Sequence, residues 1–271
     1  MRNVDRYWNT NLQKMLLEIT NQDIINRAIE TLKNGNSFKP DISFQNLHGH
    51  SLLFVSILAR NLTSTLALLR NGAPINQVDN ERRTIFHYLA ERNAEYYASK
   101  IFKEFTFPTN ETSQVLKIWD KEGVTPIQLA VLEGNMEAFH YFYNIGGDQL
   151  YQKDKKKGYT LLHMSAEKGN EFLVDMLLNK KDEEIDINEQ APDEATPLHL
   201  AVAHGHINIV ESLLDAGAIA TIFMREYSIM GLIPEECERE MLGLFSKKLR
   251  PGEYCFLDEN MLEVSDTDDS D

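Results

Sequence analysis

Between Thr196 and Ala218, apolar and polar positions fall into two short helical runs divided by a glycine. Leu198, Ala201 and Val202 recur at helical spacing behind Thr196-Pro197, and Gly205 supplies the left-handed residue that closes a helix. Threonine suits the start because its hydroxyl can accept an orphan backbone N–H, and proline fits the first helical position because no N–H is needed there. Ile207, Val210, Leu213 and Leu214 mark the second run, and Gly217 ends it. Helices this short are unstable alone in water, where about 12–15 residues is already marginal. The pattern therefore demands copies of itself on either side.

Those copies are present. Aligned on the threonine, the chain reads Ser51-Leu52-Leu53-Phe54, Thr84-Ile85-Phe86-His87, Thr125-Pro126-Ile127-Gln128, Thr160-Leu161-Leu162-His163 and Thr196-Pro197-Leu198-His199, with a degenerate sixth copy read at Ile233-Pro234. The steps are 33, 41, 35, 36 and 37 residues, so insertions fall between units and not within helices. An apolar pair follows in register in the second helix: Leu68-Leu69, Ile101-Phe102, Phe142-Tyr143, Leu177-Leu178 and Leu213-Leu214. A closing glycine stands at Gly72, Gly146 and Gly217, whereas the second unit has Phe105 there. A period near 33 carrying T-P-L-H resembles the ankyrin repeat over roughly residues 20–248. The resemblance implies an all-α repeat solenoid, a stack of helix-turn-helix units with β-hairpin fingers and helical caps.

The expected organisation is an N-terminal helical cap over 1–45 and five repeats over 46–230 (46–78, 79–119, 120–154, 155–190 and 191–227). A C-terminal capping half-repeat follows over 231–250, then an acidic tail over 251–271, disordered at its end. Cap helices are expected at 5–20 and 23–34, from the apolar faces Leu12, Met15, Leu16, Ile19 and Ile24, Ala28, Ile29, Leu32. Pro108-Thr109-Asn110-Glu111-Thr112-Ser113 reads as an exposed loop. Residues 234–248 read as a last amphipathic helix with Met241, Leu242, Leu244 and Phe245 inward.

Charge changes this picture at one end. Of a net −15, the eight acids of residues 251–271, unaccompanied by any base, leave −7 for the 250 residues before them. Free-standing nucleic-acid binding is disfavoured, since counterion release needs a basic face. No apolar run approaches the roughly 18 residues of a membrane span. The opening MRNVDRYWNTNLQK lacks an apolar leader core. Two cysteines fit a reducing compartment. A cytoplasmic monomer is expected, in the host cytosol if the chain is a translocated effector.

Chemistry is sparse. His87, His163 and His199 occupy the repeat's histidine slot, which the resemblance assigns to structure, and His206 is the loop histidine after Gly205. His48, His50, His140 and His204 lack zinc-ligand spacing. No nucleophile elbow or phosphate loop is present. Glu235, Glu236 and Glu238 would push the Cys237 thiol pKa upward, the wrong direction for a nucleophile. No catalytic residue, cofactor or metal is assigned, and an enzyme with an unrecognised site is the lowest alternative.

What remains is surface. In ankyrin stacks, finger tips and the exposed sides of first helices form a concave groove. Carried over position by position, the partner-binding candidates are Arg83, Tyr88, Arg92, Trp119, Lys121, Glu122, Lys156, Lys157, Tyr159, Lys168 and His204. Trp119 precedes the third finger, with Gln45, Val78, Asp154 and Gln190 as its counterparts, and a tryptophan ringed by polar groups is the make-up of a binding hot spot. Lys153-Asp154-Lys155-Lys156-Lys157 places four lysines on one finger, suited to an acidic partner segment. Asn76 and Asn188 hold the finger position that asparaginyl hydroxylases modify in some ankyrin proteins. Ser265 with Asp268 resembles an acidophilic kinase site.

The irregular repeats, the Asn-, Ile- and Lys-rich wording, and the acidic Glu235–Glu240 and C-terminus resemble ankyrin effectors of intracellular bacteria. The expected function is thus a non-enzymatic protein-binding module, a secreted effector that grips a host protein. The alternative is an inhibitor-like regulator whose acidic tail masks a basic, nucleic-acid-binding partner.

Overall fold

The structure is a computed structural model, and it describes residues 43, 45–146, 152–179, 185–224 and 228–250. The expected cap helices at 5–20 and 23–34 and the acidic tail lie outside the described residues. The chain divides into two compact units, 1–149 and 150–271.

In the first unit α1 (Leu52–Leu58), α3 (Ile85–Ala90) and α6 (Pro126–Glu133) are the short first helices of three repeats. Each pairs with a second helix: α2 (Leu62–Arg70), α4 (Glu95–Glu104) and α7 (Met136–Ile145). First helices pack on first helices and second on second, giving two layers in this unit. The cause is the sequence pattern. Each first helix is apolar nearly all round and is buried by its neighbours, with Phe54, Ile85, Phe86 and Ile127 fully enclosed. Each second helix offers one apolar stripe.

The second unit repeats the arrangement with α8 (Leu161–Lys168) beside α10 (Pro197–Ala203), and α9 (Glu171–Asn179) beside α11 (Ile207–Asp215). Beyond α10 the first-helix place is taken by a single 3-10 turn, Ile229–Leu232, and the second by α12 (Glu238–Lys248) against α11. The degenerate copy therefore begins at Ser228 and not at Ile233-Pro234. Gly231 stands in its histidine slot and has no side chain with which to close a capping box. Within α12, Met241, Leu244 and Phe245 are buried, while Leu242 is only half-buried.

Two expectations are revised. Both members of the second-helix apolar pair are buried only at Leu68-Leu69; in the other repeats the first member is buried and Phe102, Tyr143, Leu178 and Leu214 are half-buried. The stretch read as an exposed loop instead forms α5 (Thr109–Val115), packed on α7. Pro108 precedes its first turn, Glu111 lies in that turn, and Thr112 and Val115 face inward. The link into this helix drives Phe107 into the core, with its ring 5.0 Å from Phe86 and 4.9 Å from Phe105.

Candidate functional site

The fingers that join successive repeats share one construction. A backbone N–H at the finger base bonds the carbonyl four residues on: Asn46 to His50, Asp79 to Arg83, Asp120 to Val124 and Ala191 to Ala195. The fourth finger holds one residue more, Asp154 bonding Tyr159. The left-handed residue just before the closing one is Gly49, Arg82, Gly123, Gly158 or Glu194. That residue's N–H returns to the carbonyl of the base residue in every finger, so two backbone bonds close a tight turn, and no described residue belongs to a continuous strand.

Buried carboxylates set these turns. Asp79 accepts from the Glu81 and Arg83 N–H groups at 2.8 Å each, and Asp154 from those of Lys156, Lys157 and Tyr159 at 3.0, 2.8 and 2.7 Å. Asp120 accepts the Val124 N–H at 3.1 Å, and Asn46 substitutes its amide oxygen in the first finger. Burial pushes the Asp120 carboxyl upward, against the pull of the Val124 N–H and Arg83. Sequence reasoning missed this group. Its signal is an Asp or Asn five residues before the Thr or Ser slot, six in the longer fourth finger.

A second set of bonds locks three of the helix starts to the next finger. The Thr84 N–H donates to His87 Nδ1 at 3.0 Å, so Nε2 carries the proton and donates to the Val124 carbonyl at 3.2 Å. His163 reaches Ala195 at 3.1 Å and His199 reaches Ile222 at 2.9 Å by the same geometry. Burial lowers all three pKa values, His87 to about 4. These rings are structural and neutral. Among the described residues, no group of three or more His, Cys, Asp and Glu side chains is placed to hold a metal ion.

In the first unit the candidates gather around the second and third fingers. Tyr88 donates its hydroxyl to Asp79 Oδ2 at 2.5 Å, and its ring carries the Arg83 guanidinium 4.4 Å from the centroid. Arg83 in turn pairs with Glu91 at 2.9 Å. Tyr88 and Arg83 are thus half-buried and mutually fixed, while His50 closes the group 3.6 Å from Asp79, its pKa lowered by burial. Lys121 and Glu122 are exposed on the third finger, Lys121 paired with Glu81 at 3.1 Å. Arg92 is exposed on the 3-10 turn Arg92–Ala94. Trp119 is half-exposed, and its carbonyl accepts Arg82 Nε at 3.4 Å.

The position of Trp119 carries its own meaning. At the same place in the first and fifth fingers a glutamine amide links neighbouring segments: Gln45 donates to the Val78 carbonyl at 2.8 Å, and Gln190 to those of Glu194 and Phe223 at 3.2 and 3.4 Å. The third finger puts a large ring there instead. In the fourth, the extra residue makes Lys153 the counterpart, not Asp154.

In the second unit, Lys156, Lys157, Lys168 and His204 are exposed. Lys157 pairs with Glu167 at 2.8 Å and lies 4.8 Å above the Tyr159 ring. Tyr159 itself departs from expectation: it is only 4% exposed, stacks on His163 and donates its hydroxyl to Asp193 at 2.9 Å. It sets the finger's position and offers no free face. His204 stacks on His206, whose Nε2 donates to the Glu167 carbonyl at 3.2 Å.

Comparison with known proteins agrees with this geometry. The profile for ankyrin repeats (three copies) matches residues 129–223. The NF-kappa-B p105 subunit of Gallus gallus is 24% identical over 201 residues, covering 72% of this chain and 20% of that protein. Alpha-latrotoxin-Lg1a of Latrodectus geometricus is 34% identical over 152 residues, covering 56% of this chain and 10% of the toxin. The chain therefore spans a fifth or less of these relatives' lengths. Among solved structures, the ankyrin repeat domain of Bcl-3, a member of the IkappaB family, superimposes with a TM-score of 0.64 at 17% identity, over 86% of this chain and 97% of that one. The ankyrin repeat protein EF0377 gives 0.60 at 20% identity, over 73% and 98%.

Proposed function

We propose that this chain, which has the fold of ankyrin repeat domains and matches the ankyrin-repeat model over residues 129–223, is a non-enzymatic module holding a protein partner on its finger tips and first helices. One observation carries the reading. In four of the five fingers an Asp or Asn at the base ties down the turn, with Ala191 in the fifth, while the tips change from Leu47-His48 to Asn80-Glu81-Arg82, Lys121-Glu122, Lys155-Lys156-Lys157 and Pro192-Asp193-Glu194. A backbone fixed by its own bonds presents side chains without paying their scaffold's ordering entropy at the moment of binding, which favours affinity. Varying chemistry on such a frame supports recognition of one particular surface.

The biological setting we propose is a secreted bacterial effector acting on a host protein. It is supported by the irregular repeats and by the exposed acids Glu235, Glu236, Glu238 and Glu240 ahead of the acidic terminus. The second reading, an inhibitor-like regulator whose acidic tail masks a basic, nucleic-acid-binding partner, is favoured by the likeness to an IkappaB-family domain.

Affinity capture from host-cell lysate with the intact chain, and with a variant carrying Arg82→Ser, Lys121→Ser, Glu122→Ser and Lys156→Ser, tests the module. The expected result is a protein retained by the first and lost from the second. Identical capture by both would remove the fingers from the reading. A translocation assay with and without residues 251–271 separates the settings: the effector reading expects delivery to depend on the tail.

A further inference from the structure

We propose that the acidic segment 251–271 docks on the lysine-rich fourth finger and screens it from acidic partners. The finger is built to project charge. Asp154, its one acid, is 7% exposed and spends both carboxylate oxygens on the N–H groups of Lys156, Lys157 and Tyr159. The turn is thereby held, and Lys155, Lys156 and Lys157 stand exposed at its tip, with Lys153 exposed at its base. In a chain of net −15, this is a cationic prominence on an acidic body. Lys153 with Glu189 and Lys157 with Glu167 are solvent-exposed pairs that a denser array of carboxylates can replace.

The occupant is argued from charge and tether. Residues 251–271 hold eight acids and no base. Described structure ends at Arg250, and 21 extended residues reach up to ~70 Å. A short tether sets an effective concentration on the order of millimolar, enough to fill a contact that would be negligible between separate molecules. Other landing sites are less suitable. Glu235, Glu236, Glu238 and Glu240 repel the segment from the start of α12. At the helix's end, Lys248 already lies between Glu211 at 2.9 Å and Asp215 at 2.7 Å. The tail then acts as an internal competitor, displaced by salt or by a more strongly anionic partner segment.

The test compares the intact chain with a full-length variant in which the eight acids of 251–271 become the matching amides. Lysines are acetylated under limiting reagent at low salt and quantified by mass spectrometry, and carbodiimide cross-links are mapped in parallel. Lys155 and Lys156 should react several-fold faster in the variant, with Lys121 unchanged. The difference should vanish near about 0.5 M salt, where the screening length falls to a few ångströms. Cross-links should join the tail to Lys155 or Lys156 within a monomer. Equal acetylation at low salt, cross-links only to Lys247 or Lys248, or cross-links confined to dimers would each overturn the proposal.

Discussion

His87 Nε2 donates to the carbonyl oxygen of Val124, 37 positions later in the chain, while its Nδ1 accepts the N–H of Thr84. The bond from Thr84 requires a neutral ring, because protonation at Nδ1 removes the acceptor that Thr84 uses. Burial drives the pKa down to about 4, with the Val124 carbonyl opposing and Arg83 assisting. In the unfolded chain the same ring protonates near 6.5. The unfolded state therefore binds more protons between those values, and stability falls as pH drops from about 6.5 toward 4, then levels off. Above 6.5 the contribution is fully present. The loss attributable to this site is at most roughly 3 kcal/mol, at about 1.4 kcal/mol per pH unit.

Gln128 occupies the same slot one repeat later and holds the Thr125 N–H at 2.8 Å with no titrating group. His87→Gln should therefore flatten the acid limb of stability. Urea midpoints measured from pH 7.5 to 4.5 should converge between variant and parent as pH falls. Parallel curves would show that His87 is not a titrating staple.

Gly49 and Gly72 have nearly the same left-handed backbone, φ +79° and +77°, in different surroundings. A Cβ on Gly49 would sit 2.7 Å from the Asn80 nitrogen and 2.8 Å from the Asp79 Cα, whereas one on Gly72 would meet nothing within 4 Å. Alanine at either site incurs the left-handed penalty of about 1–2 kcal/mol. Gly49→Ala should cost a further ~1–3 kcal/mol, because two finger backbones must separate. Denaturant unfolding of both variants reads the difference directly, and equal losses would mean that the fingers are not packed tip against tip.

The repeats were legible in the sequence because the T-x-x-H slot and the helix-two stripe are sequence-local. The fingers were not. Their left-handed position is glycine in three of five cases, but Arg82 and Glu194 fill it in the others at φ +60° and +66°, erasing the usual turn signal. Asp79, Asp120 and Asp154 resemble surface acids until their backbone partners are seen. Tyr159 was misread for a related reason: nothing in a lysine-rich run reveals that Asp193, a residue of the next finger, takes its hydroxyl. The α5 helix was hidden because Pro108-Thr109-Asn110 has turn composition, and only packing of Val115 and Phe107 overrides it.

Phe107 gives that override a measurable size. Its ring is 2% exposed among Phe86, Phe102, Phe105 and Tyr141. Phe107→Ala should cost about 3–5 kcal/mol, compared with the few tenths that an exposed loop residue would lose. A melting temperature unchanged by the substitution would return 108–113 to the status of a surface loop.

Trp119→Ala should leave thermal stability nearly intact and weaken partner capture. The side chain is half-exposed, and the carbonyl that accepts Arg82 Nε belongs to the backbone, which alanine retains. A large fall in melting temperature would instead make the ring a cover for α5.

Leu213 and Leu214 are chain neighbours on α11, yet only Leu213 is fully enclosed, at 0% exposure, and Leu214 is half-buried. Helical geometry turns adjacent residues by about 100°, so just one of them can lie on the stripe that faces α9 and α12. Leu213→Ala leaves a cavity that its neighbours cannot fill and should cost about 2–5 kcal/mol. Leu214→Ala mainly exchanges partly hydrated surface for water, with a smaller transfer cost and little cavity. In a stack where each repeat is supported chiefly by its neighbours, the first substitution should also loosen the contacts of α9 and α12. Hydrogen exchange can see this: Leu213→Ala should speed amide exchange in both flanking helices, and Leu214→Ala should not. Equal losses for the two substitutions would mean that the second-helix layer is not held by a single buried stripe.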